Sequence, residues 1–200
     1  MPDPIDFYFD FSSPYGYLTS KRIDAIAEKF GRSVTWRPHL IGAVFKTTGS
    51  QPLLNIPMKG DYARRDIPRT ARRMGVPFRL PERFPFASVA AGRAFYWLND
   101  RDPGKAKDLA KALYHRAFGE GEDISGGDSV VAVAAAQGID ADELQAALAD
   151  PTVKERLKHE VEVAVERGVF GSPFVFVDGE PFWGNDKLTE VEHWLETGGW

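Results

Sequence analysis

Strand-forming sequence in this chain is confined to its two ends, and the residues between them read as loop or helix. Near the start, Ile5-Asp6-Phe7-Tyr8-Phe9-Asp10-Phe11 alternates apolar and acidic residues with aromatics, the pattern of a strand with one strongly buried face. Ser12-Ser13-Pro14 follows. Serine before proline opens a helix, because a serine hydroxyl can accept a free amide and proline at the first helical position wastes no donor. Leu18, Ile23, Ile26 and Phe30 give that helix an apolar face as far as Gly31, a natural stop. Residues 33–38 then read as a second short strand, so the first forty residues form a βαβ unit. At the far end, residues 173–177 and 180–183 are apolar runs separated by Asp178-Gly179, a pair that tolerates the positive φ angles of a tight hairpin. Asn185 or Asp186 is placed to cap a last helix carrying Leu188, Val191, Trp194 and Leu195.

The middle of the chain has a different grammar. Residues 43–61, with Gly49, Pro52, Pro57 and Gly60, have turn chemistry and little periodicity, as in a long functional loop. Segments 61–74, 87–98, 104–118, 128–137, 140–149 and 151–167 each carry a helical pattern, separated by Pro or Gly. The order is therefore βαβ, a helical block, then ββα. This is an α/β fold in which residues 1–42 and 169–200 form one domain. Residues 43–168 form a loop and an all-helical insertion between the second and third strands. A length of 200 residues suits one sizeable core.

Composition removes several classes of function. A net charge of −4 gives no global attraction for nucleic acid or an anionic membrane. No apolar run is long enough to cross a bilayer, and the acidic start lacks the basic region of a secretion signal, so a cytoplasmic protein is expected. The absence of cysteine rules out a structural disulfide, a thiolate metal site and disulfide exchange by the chain's own side chains. Any sulfur nucleophile must be borrowed. His39, His115, His159 and His193 are too dispersed for the usual local spacing of metal ligands, and no metal is expected.

Three stretches carry a family resemblance: FYFDFSSPYGYL near the start, PMKGDYARRDIPRTARRMGVP in the middle, and VFGSPFVFVDGEPFWGNDKL near the end. Together they span most of the chain. They resemble the 2-hydroxychromene-2-carboxylate isomerases, relatives of the kappa-class glutathione transferases. The resemblance implies a thioredoxin-like fold, with Ser13 standing where ordinary thioredoxins carry a cysteine. It implies glutathione as cofactor, with Ser13 beside its sulfur and Ser12 in support. It further implies a cis peptide at Ser172-Pro173 whose backbone edge pairs with the tripeptide, and Trp183, Gly184, Asn185 and Asp186 as the site of its γ-glutamyl end. Lys59 is implied in binding glutathione or an anionic substrate. Relatives often have an asparagine where this chain has Ser50, so that contact is altered here. On the residues alone, Ser13 is equally an ordinary helix cap and Lys59 a solvated lysine.

The activity so implied is the interconversion of 2-hydroxychromene-2-carboxylate and trans-o-hydroxybenzylidenepyruvate, a step of aromatic catabolism, by reversible addition of the glutathione thiolate, in a homodimer. A kappa-like transferase or peroxidase, and a noncatalytic module binding a thiol peptide or a protein, are the alternatives. Arg64, Arg65, Arg69, Arg72 and Arg73 form a basic face that reads either as solvated surface paired with Asp61 and Asp66 or as a cationic rim for a carboxylate substrate.

Overall fold

The structure, a computed structural model, describes residues 3–200 apart from the Lys46 side chain; Met1 and Pro2, the start of the segment read for a secretion signal, lie outside the described residues. Strand β1 (Ile5–Phe9) leads through helices α1 (Pro14–Ser20) and α2 (Ile23–Lys29) to β2 (Val34–Pro38). β1 pairs with β2 in parallel, Phe7 opposite Trp36. Its other edge pairs antiparallel with β3 (Phe174–Val177), and β3 pairs antiparallel with β4 (Glu180–Trp183), giving the order β2-β1-β3-β4. The hairpin between β3 and β4 turns on Asp178 at φ 52° and Gly179 at φ 90°, as the Asp-Gly pair demands.

The aromatic crowding of β1 follows from its central place. Ile5, Phe7 and Phe9 are fully buried on one face, while Tyr8 is buried on the other with Ala164, Val169, Phe174 and Phe176. Asp6, on that second face, is held by Arg37 at 2.7 Å and by Arg167.

The middle of the chain is helical as its periodicity requires: α3 (Phe45–Thr48), α4 (Lys59–Met74), α5 (Val89–Asn99), α6 (Pro103–Tyr114), α7 (Gly127–Ala136), α8 (Ala141–Ala149) and α9 (Pro151–Glu166). Aspartates cap three of them: Asp102 accepts from Lys105 N, Asp140 from Glu143 N and Asp150 from Thr152 N. α6 runs on into a π-type turn over His115–Gly119. These helices pack on the sheet through one continuous apolar core, in which Phe9 meets Phe95 and Tyr114 at ring separations of 6.1 and 5.5 Å. No described helix is long and apolar enough to cross a membrane.

Three local expectations are corrected. The first helix does not run unbroken to Gly31. The Ser20 hydroxyl donates to the carbonyl of Tyr17, and the amides of Lys21 and Arg22 close back on Leu18 and Thr19, ending α1 at Ser20 before α2 starts at Ile23. Residues 43–61 are not irregular throughout. They hold 3-10 turns at Ile41–Val44 and Leu53–Asn55 as well as α3, which stops at Gly49 in the left-handed region. Such single turns are too short to show a period. Finally, neither Asn185 nor Asp186 caps the last helix. Gly184, at φ 117°, opens a 3-10 turn over Asn185–Lys187 that runs directly into α10 (Leu188–Thr197).

Gly16 is the tightest point between the chain ends and the helical block. A Cβ there would fall 2.4 Å from the Tyr114 hydroxyl and 3.1 Å from Ser172 Oγ. Gly16→Ala is expected to lose about 1–3 kcal/mol of stability through overpacking, read as a lower urea midpoint with unchanged slope; an unchanged midpoint would contradict this packing.

Candidate active site at the start of the first helix

Ser13 is the N-cap of α1, at φ −96° and ψ 113°. Its Oγ accepts from the amide of Gly16 at 3.1 Å and donates to the carbonyl of Ser172 at 2.9 Å, while its amide donates to the carbonyl of Asp10 at 2.8 Å. Pro14 brings no N–H, and Tyr17 N bonds back to Ser13 O. Tyr15 N–H is thereby the one first-turn donor without a partner among the described residues. α1 has only seven residues, so its dipole is modest. Ser12 points inward, its amide and hydroxyl both donating to Asp10 Oδ1 at 2.8 Å.

The peptide Ser172-Pro173 is cis. Ser172 Oγ accepts from the amide of Asp10 at 2.8 Å, which ties this loop to the end of β1. Beside it the Trp183 indole lies against Gly171, where a Cβ would meet Nε1 at 2.2 Å, and packs edge-on with Phe170. Trp183 is 56% exposed. The amide of Gly184 bonds the carbonyl of Pro173 at 3.1 Å. Asn185 is buried and its Oδ1 accepts from the Thr19 hydroxyl at 3.1 Å; Asp186 is exposed, with its carboxylate folded over Gly184.

The helical block reaches the site through Tyr15, whose hydroxyl donates to Asp66 Oδ2 at 2.7 Å. Burial, reinforced by the hydrogen bond to Asp66, pushes the Tyr15 phenol well above its ordinary range. Partial burial works against the Asp66 carboxylate, yet bonds from Tyr15 and Arg69 prevail and hold it below the usual range. Lys59 is exposed on α4, at the spacing that puts residues 59, 62 and 66 on one face. Ser50 is exposed on the preceding loop, its amide bonded to the carbonyl of Phe45, and no described contact joins it to Ser13. Of the basic residues of α4, Arg69 pairs with Asp66, while Arg64, Arg65, Arg72 and Arg73 are exposed without an ion pair among the described residues.

The structure thus gathers Ser13, Ser172, Pro173, Trp183 and Gly184 around one loop, joins Asn185 to Thr19 of α1, and leaves Ser50 and Lys59 with no described contact to them. It also reveals residues that sequence reasoning passed over. Asp10 reads as one acid in an alternating strand yet is 2% exposed and bonded to Ser12, Ser88 and the amide of Ile41. His39, seen only as a dispersed histidine, is buried with Nε2 3.2 Å from the carbonyl of Gly171, the residue before the cis peptide. The sequence signal for both was position alone: a polar residue at the end of a strand.

A largely buried helix start capped by Ser13 and bonded to a cis-proline loop, on this sheet order, defines a thioredoxin-like protein. The model of the DSBA-like thioredoxin domain matches residues 4–196. Among curated proteins the chain is 31% identical over 197 residues to 2-hydroxychromene-2-carboxylate isomerase of Sphingobium xenophagum, covering 98% of this chain and 99% of that one. It is 28% identical over 207 residues to glutathione S-transferase kappa 1 of Homo sapiens, covering 98% and 92%. A solved 2-hydroxychromene-2-carboxylate isomerase matches with a TM-score of 0.86 at 27% identity, over 96% of this chain and 94% of that one. The chain belongs to the DSBA-like thioredoxin family, on the branch that holds the 2-hydroxychromene-2-carboxylate isomerases and the kappa-class glutathione transferases.

Burial pushes the His39 imidazole below its ordinary value, against the opposing pull of Asp10 and the carbonyl of Gly171. The unfolded chain then takes up a proton near pH 6.5 that the folded chain refuses, so stability falls as the pH drops below that value, by at most about 1.4 kcal/mol per unit. His39→Gln should flatten this part of the curve in urea titrations between roughly pH 7 and 5; an identical slope in both proteins would contradict the assignment.

Proposed function

We propose that this chain is a glutathione-dependent isomerase that interconverts 2-hydroxychromene-2-carboxylate and trans-o-hydroxybenzylidenepyruvate, or a close aromatic relative, by reversible thiolate addition. The observation that carries the reading is Ser13: a hydroxyl at the thioredoxin cysteine position, bonded to the cis-proline loop, in a chain without cysteine.

The donor set at the site fits a thiol tripeptide. Tyr15 N–H is an unengaged donor beside Ser13, the backbone edge at Ser172-Pro173 can pair with a peptide as an added strand, and Asn185 has its oxygen occupied while its nitrogen has no partner among the described residues. Asp186 offers a carboxylate for an ammonium group, with Trp183 and Gly184 alongside, and Lys59 offers a cation for a carboxylate of the cofactor or substrate. Ser50 takes a weaker part from its exposed loop. When bound, glutathione would supply a sulfur nucleophile for reversible conjugate addition to the ring-opened substrate, and the chain's share would be to hold that sulfur at Ser13 and the tripeptide along Ser172-Pro173.

The task of Ser13 is electrostatic. A free thiol has a pKa of about 8.5 and is mostly protonated at neutral pH. Turning the Ser13 O–H from the Ser172 carbonyl toward sulfur, with Tyr15 N–H beside it, favours the anion. The hydroxyl can do this without moving its oxygen, which the amide of Gly16 holds in place.

A second reading is a kappa-like glutathione transferase or peroxidase, favoured by the 28% identity to the human kappa enzyme. A homodimer is proposed on the family resemblance, and a cytoplasmic location and the division into residues 1–42 with 169–200 and residues 43–168 are proposed from the sequence patterns.

Ser13→Ala should lower turnover by about a hundredfold or more, the cost of losing one donor to a developing or bound anion, while costing about 1 kcal/mol of stability as a lost cap. An absorbance assay of isomerisation, with glutathione counted before and after, separates the readings: isomerisation returns the thiol and conjugation consumes it. Parental turnover in the alanine variant would remove Ser13 from the mechanism.

A further inference from the structure

Every partner of the Asp10 side chain is a donor. Oδ1 receives Ser12 N–H and Ser12 O–H at 2.8 Å each and Ser88 O–H at 2.6 Å, and Oδ2 receives Ile41 N–H at 2.8 Å. A carboxylate satisfies that set, since it accepts at both oxygens and donates at neither. The Asp10 main chain meanwhile touches the site from both sides. Its carbonyl accepts Ser13 N–H at 2.8 Å and the Tyr114 hydroxyl at 2.9 Å, and its amide donates to Ser172 Oγ at 2.8 Å. The turn that carries Ser13 and the loop that carries the cis peptide are therefore fastened to the same residue.

Ser88 is the remote end of this arrangement. It is buried just before α5, its hydroxyl makes no cap bond to that helix, and the bond it makes is to Asp10. Removing that hydroxyl touches neither Ser13 nor the cis-proline loop directly.

We infer that Asp10, anchored by Ser88, is the positioning residue of the active site: it holds the Ser13 turn and the Ser172 loop in one fixed relation so that the Ser13 hydroxyl meets the sulfur of a bound thiol. It touches no ligand itself and acts through Ser12, Ser13 and Ser172. The inference rests on the reading of Ser13 given above. Its physical basis is that hydrogen bonds to a charged acceptor are stronger and more directional than neutral ones, and that misplacing a reacting group by about 1 Å costs about a hundredfold in rate.

The test compares Asp10→Asn, Ser88→Ala and Ser88→Thr with the parental chain. Asparagine must turn N–H groups toward one of the donors around position 10, whereas threonine keeps the hydroxyl at position 88. Four quantities are measured: glutathione binding by calorimetry, thiolate absorbance of the bound tripeptide at fixed pH, kcat and KM for isomerisation, and amide hydrogen exchange at Ser13 in the ligand-free protein. Asp10→Asn should lose about a hundredfold in kcat with KM for glutathione little changed, a split that marks an interaction used in the reacting geometry. Ser88→Ala should move in the same direction by less, with a weaker thiolate band and faster exchange at Ser13, and Ser88→Thr should restore all three. If Asp10→Asn does not fold, the two Ser88 variants decide. Parental binding and turnover with unchanged kcat and thiolate band in Ser88→Ala and Asp10→Asn would overturn the inference alone. A parental chain that binds no glutathione would overturn the reading of Ser13 and the inference with it.

Discussion

A hydrogen bond from the Ser13 hydroxyl to the carbonyl of Ser172 joins positions 159 residues apart, and together with the bond from Asp10 N–H to Ser172 Oγ it closes the two ends of the chain on each other. The sheet makes this closure possible. β1 and β3 pair antiparallel, so the residues just after β1 and just before β3 emerge at the same end of the sheet. The helical block then seals the junction from behind, through Tyr114 on the carbonyl of Asp10 and Ser88 on its carboxylate. Burying a carboxylate costs stability unless its lone pairs are filled, and here each oxygen has a protein donor.

The chemistry follows from what this junction lacks as much as from what it holds. In the proposed reaction, a thioredoxin-like helix start without cysteine has no sulfur to attack with, which leaves positioning and charge stabilisation as the protein's share of the work. Ser13 suits that share because its oxygen is fixed by Gly16 N–H while its proton remains free to choose between Ser172 and a ligand. Around it lie an open aromatic face at Trp183, an acid at Asp186 and the Tyr15–Asp66 contact with α4. These are mixed surroundings, apolar on one side and polar on the other, as an aromatic carboxylate and a peptide thiol together would need.

Much of the fold was legible because its signals are local and repeated. The alternation at residues 5–11, the Asp178-Gly179 turn and the helical periods between residues 61 and 167 each specify one element, and each element formed within a few residues of its expected bounds. The break at Ser20 and the single turns between residues 41 and 55 were not legible, since each is fixed by one or two hydrogen bonds rather than by a pattern. At the site, Ser13 and Ser172-Pro173 could be found from motif and position. Asp10, Ser88, His39 and Tyr114 could not, because their importance comes from meeting across 31 to 162 residues of chain, and nothing in the local sequence of any one of them names the others. Asn185 was expected to cap the last helix or meet a ligand; its side-chain oxygen instead accepts from the Thr19 hydroxyl, and α10 has no side-chain cap.

The proposed chemistry turns on a borrowed sulfur anion held by the Ser13 hydroxyl. Crystals of the chain grown or soaked with reduced glutathione test it most directly. The tripeptide is expected to lie along Ser172-Pro173 with its sulfur within about 4 Å of Ser13 Oγ, a hydrogen bond lengthened by the larger radius of sulfur. A sulfur well beyond that distance, or a site that stays empty at saturating glutathione, would contradict it.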